Sequence, residues 1–254
     1  MLNEELISTG IEKLDKLLEG GTPKGYTVLI LGSPGSGIEI LSKQLAINSN
    51  TLYITTDETE EEINQTIQRF GWLKNNIEII DIASQYSESL LNKEQRRVNL
   101  HEQRSKIKLN ELIKVSSSVL QPIAKSNEDF LAILSNKIKM TEKQKIIINS
   151  LDFFLNQSNE NDVIRTIHAA KIFNIQNKGV LYIFMTRDIH GDIFERRIEG
   201  LADCVLELEV IQKGSTFERF LAVKKMKNYA KKIGIARYAI DTDGFVLEMI
   251  ERIM

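Results

Sequence analysis

Tyr26 to Ala46 reads YTVLILGSPGSGIEILSKQLA, and this stretch decides the fold. Val28 to Leu31 is a short aliphatic run, the pattern of a buried strand. Gly32, Gly35 and Gly37 make a glycine-rich turn, and a helix is predicted from about Ile38. Strand, glycine turn and helix in that order are the layout of a phosphate-binding loop. In such a loop backbone N–H groups and a helix N-terminus face an anion. The motif runs G-x-x-x-x-G-K-[ST]. Gly32 and Gly37 have its spacing, with Ser33, Pro34, Gly35 and Ser36 between them. Ile38 stands where the lysine belongs, and Glu39 where the Mg²⁺-holding hydroxyl belongs.

Before the loop, Ile11, Leu14, Leu17 and Leu18 recur at helical spacing, and Gly20-Gly21 ends that helix. After it, Thr51 to Thr56 is a β-branched strand ending at Asp57-Glu58. A charged helix is predicted from Thr59 to about Phe70, opened by a Thr59/Glu62 capping box and stopped by Gly71. Strands are predicted at Ile77–Ile82, Lys145–Ser150 and Gly179–Thr186, with an amphipathic helix over Val163–Asn177. Ser84 to Lys139 is polar and helical in pattern, broken at Pro122. Asp152 is expected to cap a helix. Four further runs, 202–210, 218–225, 236–240 and 244–247, read as antiparallel strands, with a turn at Asp241-Thr242-Asp243-Gly244. The sum is an α/β chain. Its mostly parallel central sheet is flanked by helices, and antiparallel strands are added at the C-terminal edge. One domain over 1–254 is expected, with a helical insertion over about 84–139.

Composition narrows the function classes. The chain has 254 residues, 42% of them hydrophobic, with 3 prolines, which favours a folded globule over disorder. A formal charge of −2 supplies no global drive toward nucleic acid or membrane. No apolar run approaches the roughly 20 residues of a membrane span. MLNEELISTG lacks the basic-then-apolar pattern of a signal peptide, so a cytoplasmic location is expected. Cys204, the single cysteine, rules out an intrachain disulfide. His101, His168 and His190 lie far apart, which argues against zinc. Lys93 to Lys114 carries seven basic against three acidic residues but no aromatics for base stacking, and reads as a solvated helix face.

Four stretches together resemble the KaiC-like, archaeal-type branch of the RecA superfamily. They are Ser8-Thr9-Gly10-Ile11 with Leu14-Asp15, Leu18 and Gly20-Gly21-Thr22-Pro23-Lys24-Gly25; Leu52 to Glu58; Leu201 to Leu208; and Val223 to Lys227. The resemblance runs from Ile7 to Leu247. It implies a RecA-type core with ATP bound between neighbouring subunits of an oligomer. It also implies roles. Gly32 to Glu39 match the nucleotide-binding loop. Asp57 and Glu58 match the acidic pair that orients the attacking water. Asn149 stands at the position of the Asp that supports Mg²⁺. Lys225 and Lys227 match basic residues that reach a neighbour's nucleotide across the subunit boundary.

The charges oppose that activity. Ile38 offers no cation, and Glu39 sets a carboxylate beside polyanionic phosphates. At ~4–6 Å and an effective dielectric of ~20, each like-charge pair costs a few kcal/mol. The helix dipole returns only ~1–2 kcal/mol. Asn149 removes a second anchor for Mg²⁺. The reading is a KaiC-like pseudo-ATPase with weak or absent nucleotide binding, acting as a regulatory or scaffolding subunit among RecA- or KaiC-like subunits. Two alternatives stand beside it. One is a divergent ATP-binding protein, with Lys24, Lys43 or a neighbour's lysine supplying charge and Lys43 pairing with Glu39 at i,i+4. The other is a nucleic-acid-binding relative of the recombinases. The loop Asp188 to Asp192 is expected at the edge of the site.

Overall fold

The computed structural model describes residues 5–47, 49–106, 129–228 and 234–248. In chain order the elements are β1 (Leu6–Ile7), α1 (Glu12–Leu17), β2 (Thr22–Pro23), β3 (Thr27–Gly32), α2 (Ile38–Ala46), β4 (Thr51–Thr55), α3 (Glu60–Arg69), β5 (Ile77–Asp81) and α4 (Ile82–Lys106). Then come α5 (Phe130–Met140), β6 (Lys145–Asn149), α6 (Asp152–Gln157), α7 (Glu160–Asn177), β7 (Val180–Thr186), α8 (Asp192–Leu201), β8 (Cys204–Lys213), β9 (Thr216–Met226), β10 (Ile235–Asp241) and β11 (Gly244–Glu248).

Nine strands form one sheet in the order β11-β10-β9-β8-β3-β7-β6-β4-β5. Pairing is parallel from β8 through β3, β7, β6 and β4 to β5. It turns antiparallel at β8/β9 and stays so to β11. The first of the four late strands is thus a parallel neighbour of β3, and only the next three are purely antiparallel. Local signals were read from sequence without β8's partner, so they could not separate the two cases. The β10–β11 hairpin closes over Thr242-Asp243, with Asp241 opposite Gly244 as the turn sequence predicts.

Alternation explains how the sheet is covered. Val28 and Ile30, with Tyr53, Ile147 and Tyr182, join a core built with α1, α2 and α3. Their neighbours Leu29 and Leu31, with Leu52, Ile54, Ile146 and Ile148, join a second core built with α5 to α8. Successive side chains of a strand point to opposite faces, so a strand covered on both faces must be apolar at every position. Helix α3 opens with both bonds of the Thr59/Glu62 capping box. Two helices fall outside the sequence expectations: α8, and the short α6 that precedes the predicted 163–177 helix. Pro122 and residues 107–128 of the expected helical stretch lie outside the described residues. No described helix is long and apolar enough to cross a membrane.

The amino edge of the sheet is pinned by the N-terminal motif. Asp15 accepts from Ser8 Oγ (2.5 Å) and Thr9 N (2.7 Å). Lys145, at the start of β6, is buried and donates to the carbonyls of Thr9 (3.2 Å) and Leu45 (2.8 Å). Burial pushes its ammonium down to about 8.

Candidate functional site

The predicted site residues other than Lys225 and Lys227 gather at the carboxyl ends of β3, β4, β6 and β7, the edge where open α/β sheets bind ligands. The order β3-β7-β6-β4 sets one strand, β7, between the glycine loop and Asn149. Asn149 pairs in register with Thr55, which brings it beside the Asp57-Glu58 turn.

The glycine loop is held by its own chain. Ser33 N donates to Leu208 O (3.1 Å) and Ser36 N to Ser33 O (3.0 Å). Arg219 of β9 donates to Gly35 O (3.3 Å), and Tyr238 of β10 to Ser36 O (2.7 Å). Gly37 caps α2 with φ 75°, and Ile240 of β10 presses on the face where a side chain would stand. The space beside the Gly32 Cα is taken by Ile38 and Ser36. A Cβ there would lie 2.8 Å from both Ile38 Cδ1 and Ser36 Oγ. Ile38 therefore folds back onto the loop's first glycine and packs against the first core. Pro34, Gly35 and Glu39 are exposed.

Glu58 and Lys43 form a close ion pair at the site. Lys43 Nζ lies 2.5 Å from Glu58 Oε2, with side-chain exposures of 1% and 25%. Lys43 also donates to the Glu39 carbonyl at 3.2 Å. The sequence expectation of a Lys43–Glu39 side-chain pair is corrected here. Burial directs Lys43 inward to the end of β4, while the Glu39 side chain points to solvent. Asp57 is exposed and accepts from Thr56 Oγ1 (3.1 Å). Beside the pair, Ser42 and Tyr53 share a hydrogen bond (2.8 Å), and Tyr53 also faces Asn149. Burial pushes the Tyr53 hydroxyl far up. Asn149 is itself buried, and its carbonyl accepts from Thr56 N (2.8 Å).

Asp152 does not cap a helix through its side chain. Its carboxylate accepts from Thr186 Oγ1 (2.7 Å) and Thr186 N (3.0 Å), and meets His190 Nε2 (2.8 Å). That ties the 188–192 loop to the ends of β6 and β7. Arg187, next to Thr186, donates from its backbone to Gly32 O (3.1 Å), and its guanidinium pairs with Glu207 and Glu209. A cation therefore stands near the loop but is already engaged by three carboxylates, Asp188 being the third.

The two lysines carried over from the resemblance separate. Lys225 donates to Glu199 O (2.8 Å), Gly200 O (3.2 Å) and Ala202 O (2.6 Å), so it caps the end of α8. Lys227 is 60% exposed and reaches only 3.7 Å toward Asp203. Both lie near the end of α8, away from this chain's own glycine loop.

An open cleft of about 700 Å³ flanks α2, lined by Glu39, Ile40, Lys43, Glu58, Arg69, Phe70 and Ile240 among others. Another, of about 640 Å³, lies between α4, α5 and α7 and meets none of the predicted site residues. The residues that sequence reasoning missed are Lys43 as partner of Glu58, and Arg219, Tyr238 and Arg187 around the loop. Lys43 had one signal, a charge amid the apolar face of α2. The others come from distant strands and had none.

The model of the KaiC ATPase family matches residues 7–251. This chain belongs to the KaiC family. The RecA-type sheet agrees with that membership. A KaiC-like protein from Pyrococcus horikoshii OT3 has the same fold, with a TM-score of 0.68 over 97% of this chain and 100% of that one, at 16% identity. Among named relatives, UPF0273 proteins of Pyrococcus furiosus and Thermotoga maritima are each 34% identical over 71 residues. Those segments are 26% of this chain and 29% of each relative. The DNA repair protein RadA of Escherichia coli is 34% identical over 87 residues, 32% of this chain and 19% of RadA. The matched segments thus span under a third of these relatives' own lengths.

Proposed function

We propose that this KaiC-family chain has given up ATP hydrolysis and serves as a regulatory or scaffolding subunit beside another RecA- or KaiC-like subunit. The observation that carries the reading is the packing of Ile38 onto Gly32 beside the Ser36 hydroxyl. The position that supplies the lysine of a phosphate loop contributes a methyl-bearing chain to the first core instead. Glu39 adds a like charge at the helix start, and Asn149 removes the carboxylate that would steady Mg²⁺. If a nucleotide and Mg²⁺ were bound, backbone N–H groups of the loop and the start of α2 would hold the phosphates, Ser33 N and Ser36 N excepted because they are engaged by Leu208 O and Ser33 O. Asn149, a neutral amide, would offer a metal-bound water a hydrogen bond but no charge. Of the two lysines expected to act across a subunit boundary, the exposed Lys227, whose ammonium makes only a long contact to Asp203 among the described residues, is the better candidate, because Lys225 is engaged at α8.

The test is calorimetric titration with Mg-ATP. The wild type is expected to bind weakly or not at all. Ile38→Lys with Glu39→Thr is expected to raise the affinity at least about tenfold, equivalent to ~1.4 kcal/mol. No gain overturns the charge argument. A second reading, a divergent nucleotide binder, is favoured by the cleft beside α2, whose Ile40, Phe70 and Ile240 offer an apolar wall. A several-degree rise in melting temperature of the wild type with Mg-ATP, lost in Gly37→Asp, would establish it instead.

A further inference from the structure

We propose that Lys43 is a positioning residue that sequesters Glu58, so that the site is locked by an internal ion pair as well as by the substitutions in the loop. The inference rests on the reading of Glu58 as the acid that orients the attacking water.

Glu58 is held at both backbone and side chain. Its N–H donates to Thr55 Oγ1 (3.3 Å), and Thr55 Oγ1 donates to its carbonyl (2.7 Å). The carboxylate is thereby delivered to the flank of α2, where Lys43 Nζ meets Oε2 at 2.5 Å. The lysine cannot readily leave. Its side chain is 1% exposed, and it also donates to the Glu39 carbonyl. Withdrawing Glu58 would strand a buried ammonium, which is strongly unfavourable. Ser42, the preceding residue, makes a parallel link to Tyr53 of β4. Two adjacent residues of α2 thus fasten the helix to the β4 strand and its end.

A carboxylate that acts as a general base must be turned so that an oxygen meets the water placed beside the phosphate. Here the ammonium holds Oε2 and keeps the carboxylate turned against the flank of α2. Restoring the loop's lysine and hydroxyl should therefore restore binding without restoring hydrolysis. Hydrolysis should return only when Lys43 is also removed.

Two experiments decide this. The first compares the melting of Lys43→Met, Glu58→Gln and the double variant. Lys43→Met is expected to lower the melting temperature by about 5–10 °C, and adding Glu58→Gln to recover at least half of the loss. Strictly additive losses overturn the pairing. The second uses Ile38→Lys/Glu39→Thr/Asn149→Asp as a background and measures single-turnover phosphate release from Mg-ATP. Adding Lys43→Met is expected to raise the rate at least about tenfold at unchanged ATP affinity, and Lys43→Arg, which keeps the pair, to leave it low. An unchanged rate with ATP bound overturns the proposal. If the background variant fails to bind ATP, the reading of the nucleotide site fails instead, and the melting comparison still decides whether Lys43 holds Glu58.

Discussion

Two buried lysines grip helix α2 from opposite ends, and they are stabilised differently. Lys43 sits at the carboxyl edge of the sheet and meets a carboxylate, Glu58. Lys145 sits at the amino edge and meets no carboxylate among the described residues; it donates to the carbonyls of Thr9 and Leu45, and its Nζ lies over the Tyr182 ring. Both are 1% exposed. A buried ammonium needs either a counter-charge or several dipoles, and dipoles alone do not fully replace water. Lys145 records the shortfall, its ammonium pushed down to about 8 by burial and only partly supported by the more distant Asp15. The end of the molecule that carries the family's entry motif is thus held by hydrogen bonds to backbone. The end that carries the glycine loop is held by an ion pair that consumes a site residue.

Removing Lys43 is the strongest way to break this contrast. Lys43→Met should cost about 2–3 kcal/mol in urea unfolding. That is below the roughly 3–5 kcal/mol of a fully dry pair, because Glu58 is 25% exposed and water relieves part of its charge. At the other end the signature is pH dependence. An unfolded lysine near 10.5 keeps its proton where the folded Lys145 has released it. Between about pH 8 and 10 the unfolded chain binds more protons, so stability rises with pH by up to ~1.4 kcal/mol per unit from this group. Lys145→Met should abolish that rise in a pH series of urea melts. Above about pH 10 the buried tyrosines Tyr53, Tyr182 and Tyr238, pushed up by burial, reverse the sign, because their unfolded forms ionise first.

Two smaller changes sharpen the comparison. Tyr238→Phe deletes the bond to the Ser36 carbonyl and should cost about 1 kcal/mol, with the loss confined to the loop end and visible as faster amide exchange across Ser33 to Gly37. Asp15→Asn removes the carboxylate that supports the Lys145 charge. The pH window of Lys145 should then move down, the smallest effect of the set.

The parallel core was legible because its code is local. Ile146 to Ile148 and Val180 to Met185 are unbroken apolar runs, which only a strand covered on both faces requires. Gly37, Thr59 with Glu62, and Asp241 to Gly244 announced a turn, a helix start and a hairpin through backbone chemistry confined to a few residues. Helix α8 was missed because only Phe194 and Ile198 of DIFERRIEGL are buried, and Ile193, 78% exposed, blurs the apolar stripe. The parallel side of β8 was missed because strand direction depends on a partner some 175 residues earlier, Val28 opposite Cys204.

The site divided along the same line. Ile38, Glu39 and Asn149 could be read one by one, because each is a residue type missing from a motif of known spacing. Whatever depends on where a flexible side chain ends required the fold. Lys43 was within reach of Glu39 on a helical wheel, yet it turns inward to Glu58. Lys225 matched a residue expected to reach a neighbour, yet it closes three carbonyls at the end of α8. The sequence by itself determined the family, the existence of a mostly parallel core and the missing charges of the loop, since these reside in residue type and spacing. Only the tertiary structure decided which charges meet. A long side chain is directed by burial and by the nearest unsatisfied partner, and those partners arrive from strands far apart in the chain.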